Sequence, residues 1–85
     1  MAEQPHELKA IYWRSRRGML ELELKLVPFV RDCFATLSKD HQLAYEALLA
    51  EEDWQIFDWL QGRASPETSA IREVVDQIAA YRGTL

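Results

Sequence analysis

Cysteine, glycine and proline are scarce in this 85-residue chain, which contains one cysteine, three glycines and three prolines. The single cysteine, Cys33, rules out an internal disulfide and fits a reducing compartment. So few glycines and prolines supply little of the turn chemistry that a fold of many short strands requires. The sequence therefore argues against a disulfide scaffold and against an all-β domain.

Long apolar runs are also missing. No segment approaches the roughly 18 consecutive apolar residues that a membrane-spanning helix needs. The N-terminus lacks the basic region followed by an apolar region that marks a secretory signal. We expect a cytoplasmic protein with no membrane insertion.

Positive charge is in deficit as well. Ten basic residues against fourteen acidic ones give a net charge of −4 and a pI near 5.1, whereas a general nucleic-acid-binding domain is usually basic. The charges are unevenly placed, because an acidic run occupies residues 51–53 and a basic cluster lies early, at Lys9, Arg14, Arg16 and Arg17. A local basic patch on an acidic protein suits one partner surface better than a polyanion.

Helix-forming sequence, by contrast, is abundant. Hydrophobic residues make up 48% of the chain and aromatic residues 11%, which is enough for a packed core and too much for a disordered chain. Apolar residues recur at the three- and four-residue intervals of amphipathic helices. We predict one all-α domain, residues 1–85, folded as a compact bundle of about five helices.

The first helix is predicted from His6 to about Arg16, with Pro5 opening it. Arg16 and Arg17 would lie in its last turn, where cations oppose the negative end of the helix dipole. Gly18 follows, at the position where a glycine commonly ends a helix in the left-handed conformation.

Residues 20–26 alternate leucine with charged residues, which by itself would predict a strand. Leucine, glutamate and lysine are strong helix formers, however, and a lone strand would have no partner in this chain. A longer window shows apolar residues at helical spacing: Leu22, Leu26, Phe29, Val30, Cys33, Phe34 and Leu37. We predict a helix here, kinked or broken in two by Pro28.

Capping residues predict the next boundaries. Ser38 would cap a third helix, and Asp53 would cap a short fourth helix that Gly62 ends. Trp54 and Trp59 are expected to pack this fourth helix against the bundle. The buried face of the third helix is predicted to consist of Leu43, Ala44, Ala47 and Leu48.

The fifth helix is predicted to start at the Ser-Pro-Glu sequence of residues 65–67, which combines a cap, a proline at the first position and an acid near the positive helix end. Gly83 would end it. Its apolar stripe is Ile71, Val74, Val75, Ile78 and Tyr81.

No catalytic constellation is recognisable. His6 and His41 lie at predicted helix starts without cysteine or acidic neighbours at metal-ligand spacing, so we expect surface histidines and no metal site. Cys33 lies among apolar residues and is expected to pack in the core. The three glycines are too scattered for a phosphate-cradling loop. We therefore expect no enzyme.

The junction at residues 16–21, preceded by Tyr-Trp-Arg at residues 12–14, combines strong charge, a glycine and large apolar side chains. Tryptophan, tyrosine and arginine dominate binding hot spots. The candidate partner-binding residues are accordingly Trp13, Arg14, Arg16, Arg17, Gly18, Met19 and Glu21.

Two alternatives remain open for this junction. Gly18 could be only a helix cap, with Arg17 and Glu21 exposed and paired, or it could let a partner's backbone approach closely. Trp13 could be partly buried under arginine stems, or it could anchor an interface.

The junction also resembles a known family signature. Residues 16–22, Arg-Arg-Gly-Met-Leu-Glu-Leu, resemble the Arg-Gly-x-x-Glu motif of the FAD assembly factors, the small flavinylation factors for succinate dehydrogenase. Residues 53–62, Asp-Trp-Gln-Ile-Phe-Asp-Trp-Leu-Gln-Gly, resemble that family's aspartate, Trp-Leu and glycine pattern. The resemblance covers residues 11–63. Leu20 departs from it, because a basic residue is common there, as does Glu23, where aspartate is usual.

The resemblance implies a non-catalytic assembly factor that binds the flavoprotein subunit of succinate dehydrogenase, and often that of fumarate reductase, and promotes covalent attachment of FAD. The motif matches at Arg17, Gly18 and Glu21, around which the interaction surface would lie. FAD would be the cofactor of the client, and this chain would bind none stably. We expect a monomer when the chain is free. The alternative is a small regulatory or nucleic-acid-binding module that uses the basic and aromatic patch of residues 9–17.

Overall fold

The fold is all-α in the computed structural model, which describes the backbone of residues 4–84 and the side chains of residues 8–84. These residues form five α-helices and one 3₁₀ turn, Phe34–Thr36, that follows the second helix. The helices are α1 (Gln4–Arg14), α2 (Leu20–Cys33), α3 (Lys39–Leu48), α4 (Asp53–Gln61) and α5 (Ser69–Ala80). The described range contains no strand, and the predicted helical bundle is confirmed.

α2 lies at the centre of the bundle, in contact with α1, α4 and α5. The leucines of its alternating segment divide between two faces, because Leu22 and Leu26 are fully buried whereas Leu20 and Leu24 are exposed. A strand would place all four leucines on one face. The helical prediction for this segment is therefore confirmed.

Pro28 lies inside α2 and is buried, yet the helix is continuous through it. A break at Pro28, one of the two predicted outcomes, is wrong. Proline removes the donor that would bond the carbonyl of Leu24, and the helix continues without that one hydrogen bond. α2 ends at Cys33, where the 3₁₀ turn takes over, and so stops short of the predicted Leu37.

The core between α2 and α3 centres on Tyr45, whose side chain is fully buried. Its ring centroid lies 6.0 Å from that of Phe29 and 5.6 Å from that of Phe34. α3 in turn packs mainly against α5, whose buried residues Val74, Val75 and Ile78 confirm the predicted stripe.

The predicted buried face of α3 is half right. Ala44 and Leu48 are buried, but Leu43 and Ala47 are exposed. Tyr45 takes their place on the inward face, because it lies one turn before Leu48 and its ring fills the space beside the two phenylalanines.

Two predicted helix caps are confirmed. The backbone N–H of His41 donates to Ser38 Oγ at 3.1 Å, so Ser38 caps α3. Gly62 follows α4 with φ of 80°, the left-handed conformation expected of a glycine there. Asp53 is not the cap of α4. Glu52 occupies the cap position without a side-chain bond, and Asp53 is the first helical residue.

α1 ends two residues earlier than predicted, at Arg14. Arg16 and Arg17 therefore lie in the connecting loop and not in the last helical turn. Gly18 is not a left-handed cap, because Gly62 alone has a positive φ within residues 4–84. The helix ends where Ser15 turns its hydroxyl back onto the carbonyl of Ile11.

Both ends of α5 also differ from prediction. The helix begins at Ser69, after Thr68, and ends at Ala80, before Gly83. Pro66 is buried in the preceding turn, so the Ser-Pro-Glu sequence belongs to the α4–α5 connection. The prediction for the side chain of His6 falls outside the described residues. None of the helices described combines the length and apolar character needed to cross a bilayer.

The two tryptophans of α4 have different environments. Trp59 is half-buried against the core, as predicted. Trp54 is 61% exposed, so the prediction that it packs α4 onto the bundle is wrong. Ile56 is fully buried and defines the inward face of the helix. Trp54 lies two residues before it and so projects from the opposite side.

Candidate functional site

The loop between α1 and α2, residues 15–19, is anchored at its start by a buried hydroxyl pair. Ser15 Oγ donates to the carbonyl of Ile11 at 2.9 Å and lies 2.6 Å from the hydroxyl of Tyr45. Because a serine hydroxyl has a single hydrogen, Tyr45 is the donor in the second bond. Burial raises the pKa of Tyr45 to about 12, so this hydroxyl keeps its proton at neutral pH.

Arg17 holds the middle of the loop against three other segments. Its Nε donates to Asp53 Oδ1 at 2.8 Å, at the first residue of α4. Its Nη1 donates to the carbonyls of Leu49 at 3.0 Å and Arg14 at 3.2 Å, and its Nη2 to that of Glu51 at 2.9 Å. The carbonyls of Arg14 and Leu49 lie at the C-terminal ends of α1 and α3, where helices leave carbonyls unpaired, and that of Glu51 lies in the α3–α4 connection. One guanidinium therefore ties α1, α3 and α4 together.

This arrangement decides against one alternative for Arg17. Its side chain is only 15% exposed and pairs with Asp53, so the alternative in which Arg17 and Glu21 form an exposed pair is wrong. Glu21 is exposed in the first turn of α2, where a carboxylate is favoured by the helix dipole. No basic group lies within ion-pair distance of it among residues 8–84. Its charge is thus available at the surface.

Gly18 is exposed beside Arg17, and nothing in the fold requires a glycine there. A Cβ atom built at Gly18 has no heavy atom within 4 Å, and its φ is not positive. The helix-cap alternative is therefore wrong, because a side chain would fit in both conformation and space. What remains is an open stretch of backbone that another molecule can approach.

Trp13 stands at the rim of this loop with 59% of its surface exposed. Its ring packs edge-on against Tyr12, with 5.6 Å between centroids, and the guanidinium of Arg16 lies 5.8 Å from its centroid. Arg16 also pairs with Glu23 at 3.4 Å. Trp13 is therefore partly covered by the Arg16 guanidinium, as one alternative predicts, while more than half of its surface stays open for the contact that the other alternative predicts.

Arg14 and Met19 complete the set of predicted residues. Arg14 is exposed, and its Nη2 donates to the carbonyl of Glu46 at 3.3 Å. Met19 is half-buried against the core, and its carbonyl accepts the first backbone bonds of α2 from Leu22 and Glu23. Met19 therefore joins the surface of the loop to the interior.

The nucleic-acid alternative requires a patch of free basic side chains, and in the structure two of these side chains are engaged by contacts within the chain. The guanidinium of Arg17 is engaged by internal acceptors, and that of Arg16 lies between Trp13 and Glu23. Phosphate binding relies on free cationic side chains. The structure therefore speaks against this alternative.

An open depression of about 570 Å³ adjoins the loop. The residues that line it include Arg17 and Met19, together with Trp54 and the acidic residues Glu51 and Glu52. The loop thus borders an aromatic and acidic depression in addition to the exposed Trp13.

Residues 8–84 contain no group of three or more histidine, cysteine or acidic side chains that could hold a metal. The other perturbed groups lie at the far end of α2, where Asp32 accepts from Arg31 and from Tyr81. The Arg31 hydrogen bond, followed by that of Tyr81, lowers the pKa of Asp32 to about 2. Burial raises the pKa of the half-buried Cys33 thiol, which disfavours the thiolate.

Sequence reasoning missed Ser15 and Tyr45 as residues that shape the site, and it assigned Asp53 a capping role instead of its ion pair with Arg17. Tyr45 could have been found from its spacing to Leu48 and Leu49, which continues the helical stripe. The contacts of Ser15 and Asp53 carry no local signal. Their partners lie 30 and 36 positions away, and a single sequence does not reveal such pairs.

Comparison with known proteins assigns the chain to a family. A family model described as flavinator of succinate dehydrogenase matches residues 9–82. The FAD assembly factor SdhE of Pseudomonas aeruginosa is 44% identical over 72 residues, which cover 85% of this chain and 86% of the relative. The proteins of the same name from Vibrio cholerae and Coxiella burnetii are 38% and 36% identical, over 94% and 88% of this chain and 90% and 92% of theirs. The chain therefore belongs to the family of succinate dehydrogenase flavinators, as its motif at residues 17–21 predicts.

Proposed function

We propose that this protein is a non-catalytic assembly factor that docks on the flavoprotein subunit of succinate dehydrogenase and promotes its covalent flavinylation. The family membership supports flavinylation as the process and the succinate dehydrogenase flavoprotein as the client. The geometry of the α1–α2 loop supports docking as the means, because the loop offers an uncovered surface and no reactive group.

The observation that carries this proposal is the position of Gly18. It is exposed, free of conformational constraint and held on a loop that Arg17 and Ser15 fix from the inside. A rigid loop with bare backbone at its tip is suited to close approach by a partner, because little ordering entropy is lost on binding.

The motif residues divide into two roles. Arg17 is a positioning residue, since its donors are used within the chain. Gly18 allows contact with the backbone, and Glu21 offers a carboxylate without a basic partner among residues 8–84, which orients the partner. Trp13 and Met19 supply apolar area on either side, the kind of side chain that dominates binding hot spots.

Arg14 and Arg16 are placed to contribute at the rim. Both are exposed, and Arg16 steadies the face of Trp13. Charges at such a rim act mainly on the rate of association and on specificity.

Flavinylation itself would remain the client's chemistry. The factor needs only to bind one client conformation more tightly than the others, and a preference of about 5.5 kcal/mol moves an equilibrium from 1:99 to 99:1. FAD is the client's cofactor, and we propose that this chain binds none stably. Its three glycines, at positions 18, 62 and 83, are too far apart in sequence for a loop that cradles a pyrophosphate.

The substitution Gly18→Arg tests the proposal. It should abolish client binding and in-gel flavin fluorescence of the client, while helicity and melting temperature stay nearly unchanged, because a side chain fits at this position. Ala80→Arg, at an exposed residue of α5, is the matched control and should retain full activity. Wild-type levels of client flavinylation with Gly18→Arg would refute the docking role.

The finer parts of the proposal have separate tests. We propose that the fumarate reductase flavoprotein is also a client, which a flavinylation assay with that subunit checks. A monomer in the cytoplasm is expected, and sedimentation and cell fractionation measure each. Titration with free FAD should leave flavin fluorescence unquenched. Quenching at micromolar FAD would instead indicate a flavin carrier.

A further inference from the structure

Trp54 is a large apolar side chain with no role in the core. It is 61% exposed in the first turn of α4, on the side opposite the buried Ile56. It borders the depression of about 570 Å³ that Met19 also lines. An exposed tryptophan beside a concave, partly apolar surface is characteristic of a contact site.

The rim around Trp54 is strongly acidic. Glu51 and Glu52 are both exposed, and neither has a basic side chain within ion-pair distance among residues 8–84. Asp53 is the third carboxylate here, and Arg17 neutralises it. The free negative charge of the depression is therefore that of Glu51 and Glu52, directly before the aromatic face.

This depression is continuous with the proposed docking loop. Arg17 lines the depression, and its backbone is part of the docking loop. The Nη2 of Arg17 donates to the carbonyl of Glu51. Because Arg17 and Met19 flank Gly18 in the chain, the depression borders the docking loop on both sides of that residue. The geometry fixes the loop and the acidic rim relative to each other through one guanidinium.

We infer that the acidic depression is the second half of the docking surface, and that it receives a basic segment of the client flavoprotein, with an arginine or lysine side chain over Trp54. The inference rests on the proposed function, because it assigns a binding chemistry to the same partner. A tryptophan face attracts cations through its ring quadrupole, and arginine also stacks on it. Glu51 and Glu52 add ionic attraction for this basic segment. Arg14 and Arg16, which are themselves basic, do not attract it.

The experiment measures binding of the purified flavoprotein subunit to the full chain by surface plasmon resonance at low and high salt. Trp54→Ala should weaken the equilibrium affinity about tenfold. Glu51→Gln with Glu52→Gln should slow association roughly three- to tenfold at low ionic strength, and the difference from wild type should shrink at about 0.5 M salt, where such charges are screened.

Matched controls separate these effects from a general loss of charge or apolar area. Leu43→Ala removes an equally exposed apolar side chain on α3. Asp40→Asn with Asp76→Asn removes two exposed carboxylates on α3 and α5. Both controls should bind like wild type. All variants should melt near the wild-type temperature, since every substituted side chain is exposed.

The outcomes distinguish the two proposals. If Gly18→Arg abolishes binding while Trp54→Ala and the double glutamine variant bind like wild type at low salt, the acidic depression is not part of the interface and the docking loop stands. Tighter binding by Glu51→Lys with Glu52→Lys would also overturn the inference, because it would indicate an acidic partner. If the wild-type chain does not bind the flavoprotein, both proposals fail.

Discussion

The substitution Arg17→Ala should destabilise the fold strongly, although Arg17 belongs to a motif associated with function. Its side chain makes four hydrogen bonds, of which those to Asp53 and Leu49 are partly buried and those to Arg14 and Glu51 are exposed. Each partly buried hydrogen bond of the charged guanidinium contributes a net of about 1.5 kcal/mol to the free energy of unfolding. Each exposed bond contributes close to zero, because water replaces it when it is lost. The expected loss in the free energy of unfolding is therefore about 3 kcal/mol.

Thermal and urea denaturation measure this loss. For a domain of this size, 1 kcal/mol shifts the melting temperature by roughly 4–8 °C, so Arg17→Ala should melt some ~12–24 °C below wild type. Arg17→Lys should lie between the two, because a lysine ammonium keeps the attraction to Asp53 but cannot reproduce the guanidinium fork. A double-mutant cycle with Asp53→Asn should give a coupling energy of about 1–2 kcal/mol.

Arg16→Ala is the control. Arg16 is more exposed, and its ion pair with Glu23 is longer, at 3.4 Å, so its loss should change the free energy of unfolding by less than about 0.5 kcal/mol. If Arg17→Ala and Arg16→Ala unfold at the same urea concentration, Arg17 does not tie the helices together. The division into positioning and contact residues would then be wrong.

Further substitutions separate fold from docking. Tyr45→Phe leaves Ser15 without its donor, which should cost about 1 kcal/mol at pH 8. The raised pKa of Tyr45, about 12 against 10.0, gives wild type a stability present below pH 10 and lost as pH rises towards 12. Chemical denaturation should show that this loss, roughly 3 kcal/mol at most, is absent in Tyr45→Phe. Gly62→Ala should cost about 1 kcal/mol because φ is 80°, whereas Gly18→Ala should be neutral or stabilising by thermal melting. Glu21→Ala should weaken flavoprotein binding without lowering the melting temperature, and unchanged binding would remove Glu21 from the interface.

Local patterns predicted the helices well because each buries one stripe against a common core. The alternating segment of α2 was assigned correctly from helix propensity, and the caps at Ser38 and Gly62 follow from backbone chemistry that acts within a few residues. Helix ends failed where a tertiary contact decided them. α1 stops at Arg14, where Ser15 is drawn towards Tyr45, a residue of another helix.

The sequence predicted an exposed cluster at the α1–α2 junction, but not which of its side chains turn inward. Charge, glycine and aromatic residues meet at the α1–α2 junction, and spacing alone predicts an exposed cluster. That Arg17 turns inward depends on the unpaired carbonyl of Leu49 and on Asp53, both more than 30 positions later. Trp54 was assigned to the core because its helix is apolar on most sides, and only packing reveals which side remains uncovered.

The bonds that link residues 15 and 17 to α3 and α4 also mean that the Arg-Gly-x-x-Glu sequence is not a portable linear motif. A synthetic peptide of residues 12–22 would contain every motif side chain but neither Tyr45 nor Asp53, so its arginine would be free and its loop unshaped. Such a peptide should compete poorly with the whole chain for a partner. Antibodies raised against the peptide should likewise recognise the native protein weakly, because the epitope exists only in the folded molecule.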